Sequence, residues 1–423
     1  MKLTITNRWG VFALTSIFFL LSQFYRASMA VISTDLLHDL SLNASDLSLL
    51  SSAFFYAFAL VQIPLGLTLD RFGPRLTMSV LSVLGVLGVL GFAWSQTLSM
   101  AVTARVIIGL GMACNLMGPF KLLTLWFGPA QFAGLSTLIF SIGAAGSIVA
   151  SSPLVMLVQW VGWRWAFTVI AAFHAGLTVL FFLCVRDHPP DVQARRVDLG
   201  FADLMHGLRT LFTLRDYWII SVSTFCRYGI YAAIQTLWAG PYLMQGIGLS
   251  PMQAGNVILC LNLGFITAGP LWGSLSDRLQ RRKRVILIGL LGMGCVLAAM
   301  TFQSEQTSLA LFAGLFAAFG ISGSTGGIMY THIKERMPAR LAGTAMTGIN
   351  LFTMFGAAFF VHGLGVLMQK IFEEEALSLT AFHLSFLLCA AFMLVVFVLY
   401  LFTREDKKID DRGLRAEDQG IGL

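Results

Sequence analysis

Four cations stand inside long apolar runs of this 423-residue chain: Arg26, Arg105, Lys121 and Arg227. An ionised Arg at the centre of a bilayer costs about 2.5–3.5 kcal/mol even on the mildest insertion scales, and such residues usually face a watery cavity. No Asp or Glu lies clearly inside the same runs. The nearest, Asp35 and Asp46, sit near their outer ends. Opposing carboxylates therefore cannot neutralise the four cations, whereas an anion arriving from solution can. A guanidinium fork suits a carboxylate or a phosphate, which it binds through two parallel hydrogen bonds.

Arg26 and Arg227 are the expected anion ligands. The alternative is that backbone carbonyls and polar neighbours (Gln23, Ser28, Ser223) satisfy both. Lys121 either faces the same cavity or snorkels toward the cytoplasmic interface. Arg105 is read as structural or coupling-related. Tyr25 adjoins Arg26, while Tyr228 and Tyr231 follow Arg227 at helical spacing and share a face with Gln235. These side chains and Asn115 could supply hydroxyl and amide bonds and a stacking wall. Ordinary helix packing is the competing reading for each aromatic.

The elements that must hold these residues are set by composition. Apolar residues make up 57% of the chain and charged ones 12%, about half the ~25% usual for soluble domains. That excludes an ordinary cytosolic enzyme, a disordered chain and a secreted disulfide scaffold. The six cysteines lie in apolar runs with no CxxC spacing, so neither a zinc site nor a disulfide framework is expected. No HxxxH or Cys/His cluster suggests a metal, and no phosphate-binding G-x(4)-GK[ST] loop appears. No cofactor is expected. The first apolar run, from about Val11 to Ile32, is too long for the core of a cleavable signal peptide.

Twelve apolar segments are predicted to span a membrane, at about 11–34, 46–69, 76–95, 99–122, 131–157, 164–185, 217–242, 252–275, 284–302, 307–331, 342–368 and 380–402. They group as a first six-helix bundle (1–186), a linker (187–216), a second bundle (217–403) and a tail (404–423). Phe201, Leu204, Met205, Leu208, Leu211 and Phe212 repeat at helical spacing, which predicts an amphipathic surface helix in the linker. With the N-terminus inside, 22 of the 28 Lys and Arg fall in cytoplasmic segments and two, Arg164 and Lys370, in external loops. That asymmetry predicts cytoplasmic termini and explains the net charge of +7 without nucleic acid.

The halves echo each other. Phe24-Tyr25-Arg26 matches Phe225-Cys226-Arg227 at an offset of 201. Gly66-(x)3-Asp70-Arg71 matches Gly273-(x)3-Asp277-Arg278 at 207, and Pro129-Ala130-(x)2-Ala133-Gly134 matches Pro338-Ala339-(x)2-Ala342-Gly343 at 209. Repeats of this kind place a substrate site near mid-membrane between them, so Arg26 and Arg227 are expected to face each other.

Gly66 to Arg75 (GLTLDRFGPR) with its echo Gly273 to Arg284 (GSLSDRLQRRKR) resembles the loop signature of the major facilitator superfamily. The resemblance covers the whole chain. It implies an all-α membrane fold of twelve helices in two pseudo-symmetric bundles, and alternating access driven by a gradient or by exchange. It also implies that Gly66, Asp70, Arg71, Gly73 and Arg75, with Gly273, Asp277 and Arg278, latch the cytoplasmic side in one state. In the second copy Gln280 replaces the expected Gly. Arg105-(x)3-Gly109-(x)-Gly111 in span 4, Lys121-(x)4-Trp126-Phe127 and the Gly162-Trp163-Arg164-Trp165 turn are most similar to the organic anion:cation symporter branch. That branch often carries an acid beside the first Arg and another seven residues after the span-4 Arg. Tyr25 and Met112 stand there instead.

The expected function is secondary transport of a small organic anion, by symport with a proton or sodium or by exchange. The expected form is a monomeric multi-pass protein, in a bacterium at the inner membrane. Amino acid or peptide transport would need a cavity acid. Drug/proton efflux fits poorly with span 5, whose first proline is Pro153. A non-transporting receptor would need an output domain, and the linker and tail are too short for one.

Overall fold

The computed structural model describes residues 7–127, 129–188, 209–279, 281–337 and 342–404. The first half holds α1 (Arg8–Asp39), α2 (Ala44–Phe72), α3 (Pro74–Ala93), α4 (Leu98–Met112), α5 (Met117–Trp126), α6 (Pro129–Val149) and α7 (Ser152–Cys184). The second holds α8 (Arg215–Ala233), α9 (Pro251–Leu279), α10 (Arg282–Met300), α11 (Leu309–Gly323), α12 (Gly326–Arg336), α13 (Ala342–Phe372) and α14 (Leu379–Tyr400). Beyond Ala233, the α8 helix continues through π-helical turns at Ile234–Trp238 and Tyr242–Gly246. Among the described residues, ten helical stretches are long and apolar enough to cross a membrane. Most of the predicted amphipathic helix, from Phe201 to Leu208, and the tail beyond Arg404 lie outside the described residues.

Polar residues set where several helices start. The Asn43 side chain accepts from the Asp46 backbone N–H at 2.9 Å, and the Asp46 carboxylate accepts from that of Asn43. This reciprocal cap satisfies donors that the first turn would leave orphaned. Thr97, Ser308 and Ser378 cap α4, α11 and α14 in the simpler one-bond way.

Two predicted spans prove to be broken helices. Span 4 divides into α4 and α5 at residues 113–116, and span 10 into α11 and α12 at 324–325. The breaks leave the hydropathy of each run unchanged, so the apolar pattern gave no sign of them. Predicted spans 5 and 6 (131–157 and 164–185) meet at a kink at Gly162, as expected, but span 5 is itself interrupted. The helix stops at Val149, restarts at Ser152 with Pro153 in its first turn, and kinks at Gly162. Gly162 has φ +79°, a left-handed conformation open to glycine at little cost.

The repeat is visible in the packing. α1 lies on α6 as α8 lies on α13; α2 lies on α4 as α9 lies on α11; α3 lies on α7 as α10 lies on α14. Equivalent glycines permit the closest approaches. A Cβ at Gly109 would strike the Phe54 carbonyl, as one at Gly320 would strike that of Leu261. The helix starts are pinned in parallel too. Arg8 stacks over Phe127 at 5.6 Å, and at the corresponding place Asp216 accepts from Arg336 at 2.6 Å.

α2 against α13, and α9 against α6 and α7, join the halves. Some of the polar contacts between the halves lie at the end away from Arg8 and Arg404. There Gln245 donates to Thr34 (3.3 Å), the Ala44 amide to Gln369 (3.2 Å) and Ser152 to Asn256 (2.6 Å). Exposed apolar side chains such as Leu60, Leu271, Leu387 and Val395 cover the outside. A patchwork this apolar suits a lipid environment.

Candidate functional site

Arg26 on α1 and Arg227 on α8 are both buried, at 7% and 4% exposure, so neither reaches lipid. Among the described residues no carboxylate forms an ion pair with either, or with Arg105. The Nε atoms of Arg26 and Arg227 have no hydrogen-bond partner among the described residues. Their positive faces are met by π-electrons instead. The Arg26 guanidinium lies 4.4 Å over the Phe58 ring and 5.8 Å from that of Phe54. The Arg227 guanidinium lies 6.0 Å from the Tyr231 ring.

The two arginines are brought together by a pair of tyrosines. The Tyr228 side chain lies close enough to interact with both Arg26 and Arg227. Tyr330 on α12 interacts with both cations. Its hydroxyl also lies 3.2 Å from Asn350 Oδ1 and 3.0 Å from Thr353 Oγ1. The result is two cations, one from each half, around shared tyrosines. Among the described residues no carboxylate pairs with these cations, an arrangement whose chemistry suits an anion.

The break in span 10 creates room for Arg227. Gly326 opens α12, and a Cβ there would fall on the guanidinium itself. Gly326→Ala is therefore expected to displace Arg227 and lower uptake by about 100-fold, the scale of a 1 Å misplacement at a reacting or binding centre. Gly327→Ala next door meets nothing within 4 Å and should leave uptake near wild type. Matched uptake assays of the two variants check this directly.

The other sequence-predicted residues scatter. Tyr231 is sandwiched between Phe265 (5.0 Å) and Phe319 (5.7 Å), so its ring packs the second half, with the Arg227 guanidinium 6.0 Å from its centre. Gln235 donates to Asn262 at 2.7 Å, and Asn262 donates across to the Ser147 carbonyl at 3.1 Å. Lys121 is half-buried on α5, where the 209-residue offset maps it onto Tyr330. Tyr25 does not join the arginine pair. It is buried inside the first half against His174 at 5.9 Å, because successive helix residues point about 100° apart. Asn115 also turns inward, donating to the Phe18 carbonyl at 3.2 Å. Arg105 donates to the Tyr25 carbonyl at 3.0 Å and stacks on Phe54 at 5.0 Å, tying α4 to α1 and α2.

The loop signature forms two different clusters. In the first, the Arg75 amide donates to Asp187 (2.7 Å) and its guanidinium to the Phe182 carbonyl (2.6 Å). Gly73, at φ +80°, leaves space for that carboxylate. Arg71 stacks on Phe72 at 5.4 Å. Gly66 and Gly273 have open space where a Cβ would be. In the second cluster the arginine on Asp277 is Arg282, which also bridges to Glu335 at 3.1 Å. Arg278 is exposed. The Asp70 side chain and Gln280 lie outside what is described.

Two matched sets of helices, with unneutralised cations where they meet, define a membrane transporter built from a repeat. The profile of the Major Facilitator Superfamily matches residues 13–238 and again 220–421, and the chain belongs to that family. It is an integral, multi-pass membrane transporter and not an enzyme. A protein of Cupriavidus necator named Probable sulfoacetate transporter SauU is 26% identical over 85% of this chain and 86% of its own length. One of Escherichia coli named Probable galactarate/D-glucarate transporter GarP is 24% identical over 90% and 91%. A crystal structure of a bacterial homolog to the human lysosomal transporter Spinster shares the fold with a TM-score of 0.74, covering 93% of this chain and 96% of that one, at 15% identity.

Proposed function

We propose that the chain is a secondary transporter of a small organic anion, held between Arg26 and Arg227 and moved by alternating access. The observation that carries this reading is the pair of buried guanidiniums, one from each half, that share Tyr228 and Tyr330 and have no carboxylate partner among the described residues. An anion between them lowers the charge of the cavity and with it the barrier to rocking the halves past each other. The names of the relatives, which speak of sulfoacetate and galactarate or glucarate, agree with a small anion.

The remaining parts follow from the same reading. Twelve spans with both termini in the cytoplasm suit the Lys and Arg asymmetry, with α4–α5 and α11–α12 each counted as one broken span and α8 with its π-helical turns as another. The bundles are 1–186 and 217–403. The Asp187–Arg75 and Asp277–Arg282–Glu335 clusters brace the cytoplasmic ends within each half and are read as parts of the latch. A monomer suffices, since each chain supplies both arginines. The driving ion is a proton or sodium, or a counter-anion in exchange.

The test is counterflow in liposomes, with thermal stabilisation of the purified protein, across uronates, sugar phosphates, dicarboxylates and zwitterionic amino acids. Stabilisation and exchange confined to anions is the expected result. Activity with the amino acids and none of the anions would overturn it.

A further inference from the structure

Beside the arginine pair lies a polar wall that charge recognition does not require. It is built from Gln62 on α2, Tyr330 on α12, and Asn350 and Thr353 on α13. Asn350 Nδ2 donates to Gln62 Oε1 at 3.4 Å, and Gln62 Nε2 donates to the Ala113 carbonyl at 3.4 Å. Tyr330 closes the row on Asn350 and Thr353. Gln62 and Asn350 are buried in an apolar bundle. Burying an amide is costly unless its bonds are good. Here both amide bonds are longer than the usual 2.7–3.2 Å for N–H···O. Two amides bring four N–H donors, and the row uses two of them. The wall is thus under-bonded, at the rim of a site that attracts anions.

We propose that Gln62, Asn350 and Tyr330 read hydroxyl groups on the cargo, so that the transported anion is a hydroxylated carboxylate. The inference rests on the anion reading above and specifies its substrate class. A carboxamide both donates and accepts, as a hydroxyl does, so each can exchange a 3.4 Å contact for a shorter bond to the cargo. A cargo with plain methylenes would leave the amides as they are and set hydrocarbon against them. Sites built to bond a hydroxyl reject analogues that lack it, by 10⁴ or more when the site's groups are left wholly unpaired. These groups are partly paired with one another, so a smaller preference of about tenfold or more per matched pair is expected. Gln62 and Asn350 belong to different halves, so the cargo's hydroxyls also replace a bond that rocking must break.

Matched anions separate hydroxyl recognition from charge. Glucarate and adipate have the same six-carbon dicarboxylate chain, and tartrate and succinate the same four-carbon one. Each hydroxylated member should stabilise the purified wild-type protein and compete in counterflow at a concentration about tenfold or more below its plain partner. In Asn350→Leu, Gln62→Leu and Tyr330→Phe that ratio should fall toward one. Equal potency within both pairs for the wild type would overturn the inference while leaving the anion site standing. So would an unchanged ratio in all three variants. Failure of all four anions to bind would bring down the anion reading and this inference with it.

Discussion

Arg227→Gln abolishes substrate uptake, by about 100-fold or more, and leaves the unloaded protein at least as stable as wild type. The two halves of that expectation have one cause. Arg227 is buried without a carboxylate among the described residues, so its charge is held at a cost that no protein anion offsets. Gln removes the cost and removes the ligand together. A 100-fold loss corresponds to about 2.7 kcal/mol of anion affinity, within reach of one charge-assisted fork. Arg26→Gln behaves alike, because its Nε is likewise unpartnered among the described residues. Uptake into liposomes, read beside thermal melting with and without substrate, checks both. A melting temperature that falls in the unloaded variant would mean that the arginine is a structural strut.

Asp216→Ala gives the opposite pattern. Here the buried cation has its carboxylate: Arg336 donates to Asp216 through Nε at 2.8 Å and Nη2 at 2.6 Å, with both side chains under 10% exposed. Breaking one side of such a pair costs about 3–5 kcal/mol, because the other charge stays buried. The start of α8 should loosen from the end of α12, and the melting temperature should fall sharply. Replacing both partners with leucine should recover most of the loss. Thermal melting of the single and double variants measures this, and a single variant that melts like wild type would refute it. The chain therefore contains two kinds of buried arginine, distinguishable by the sign of the stability change when the charge or its partner is removed.

Which arginines were of which kind was partly legible in the sequence. Arg26 and Arg227 stood out because a cation in an apolar run is rare, and because one echoes the other. The echo survives in the packing of three helix pairs, since the same close approaches need the same small residues at the same offsets. The direction of a neighbour was less legible. Tyr25 and Asn115 are near Arg26 and Lys121 in sequence, but they point into the first half, against His174 and the Phe18 carbonyl. Tyr330 escaped notice as a lone aromatic in a polar stretch. The 209-residue offset that pairs it with Lys121 was the signal that could have found it. The broken spans were hidden for a different reason. Hydropathy averages over a window, and a four-residue interruption at 113–116 stays apolar throughout apart from Asn115. The partner of Asp277 was also missed, because Arg282 lies on the next helix and reaches back.

The central claim is that one anion is held by two guanidiniums at once, and a double-mutant cycle on binding tests it most directly. Affinity for a transported anion would be measured by titration calorimetry in wild type, Arg26→Gln, Arg227→Gln and the double variant. If both groups grip the same anion, each single change weakens binding steeply, and the double change weakens it by clearly less than the two losses combined. Wild-type affinity in either single variant, or losses that add fully, would contradict a shared site.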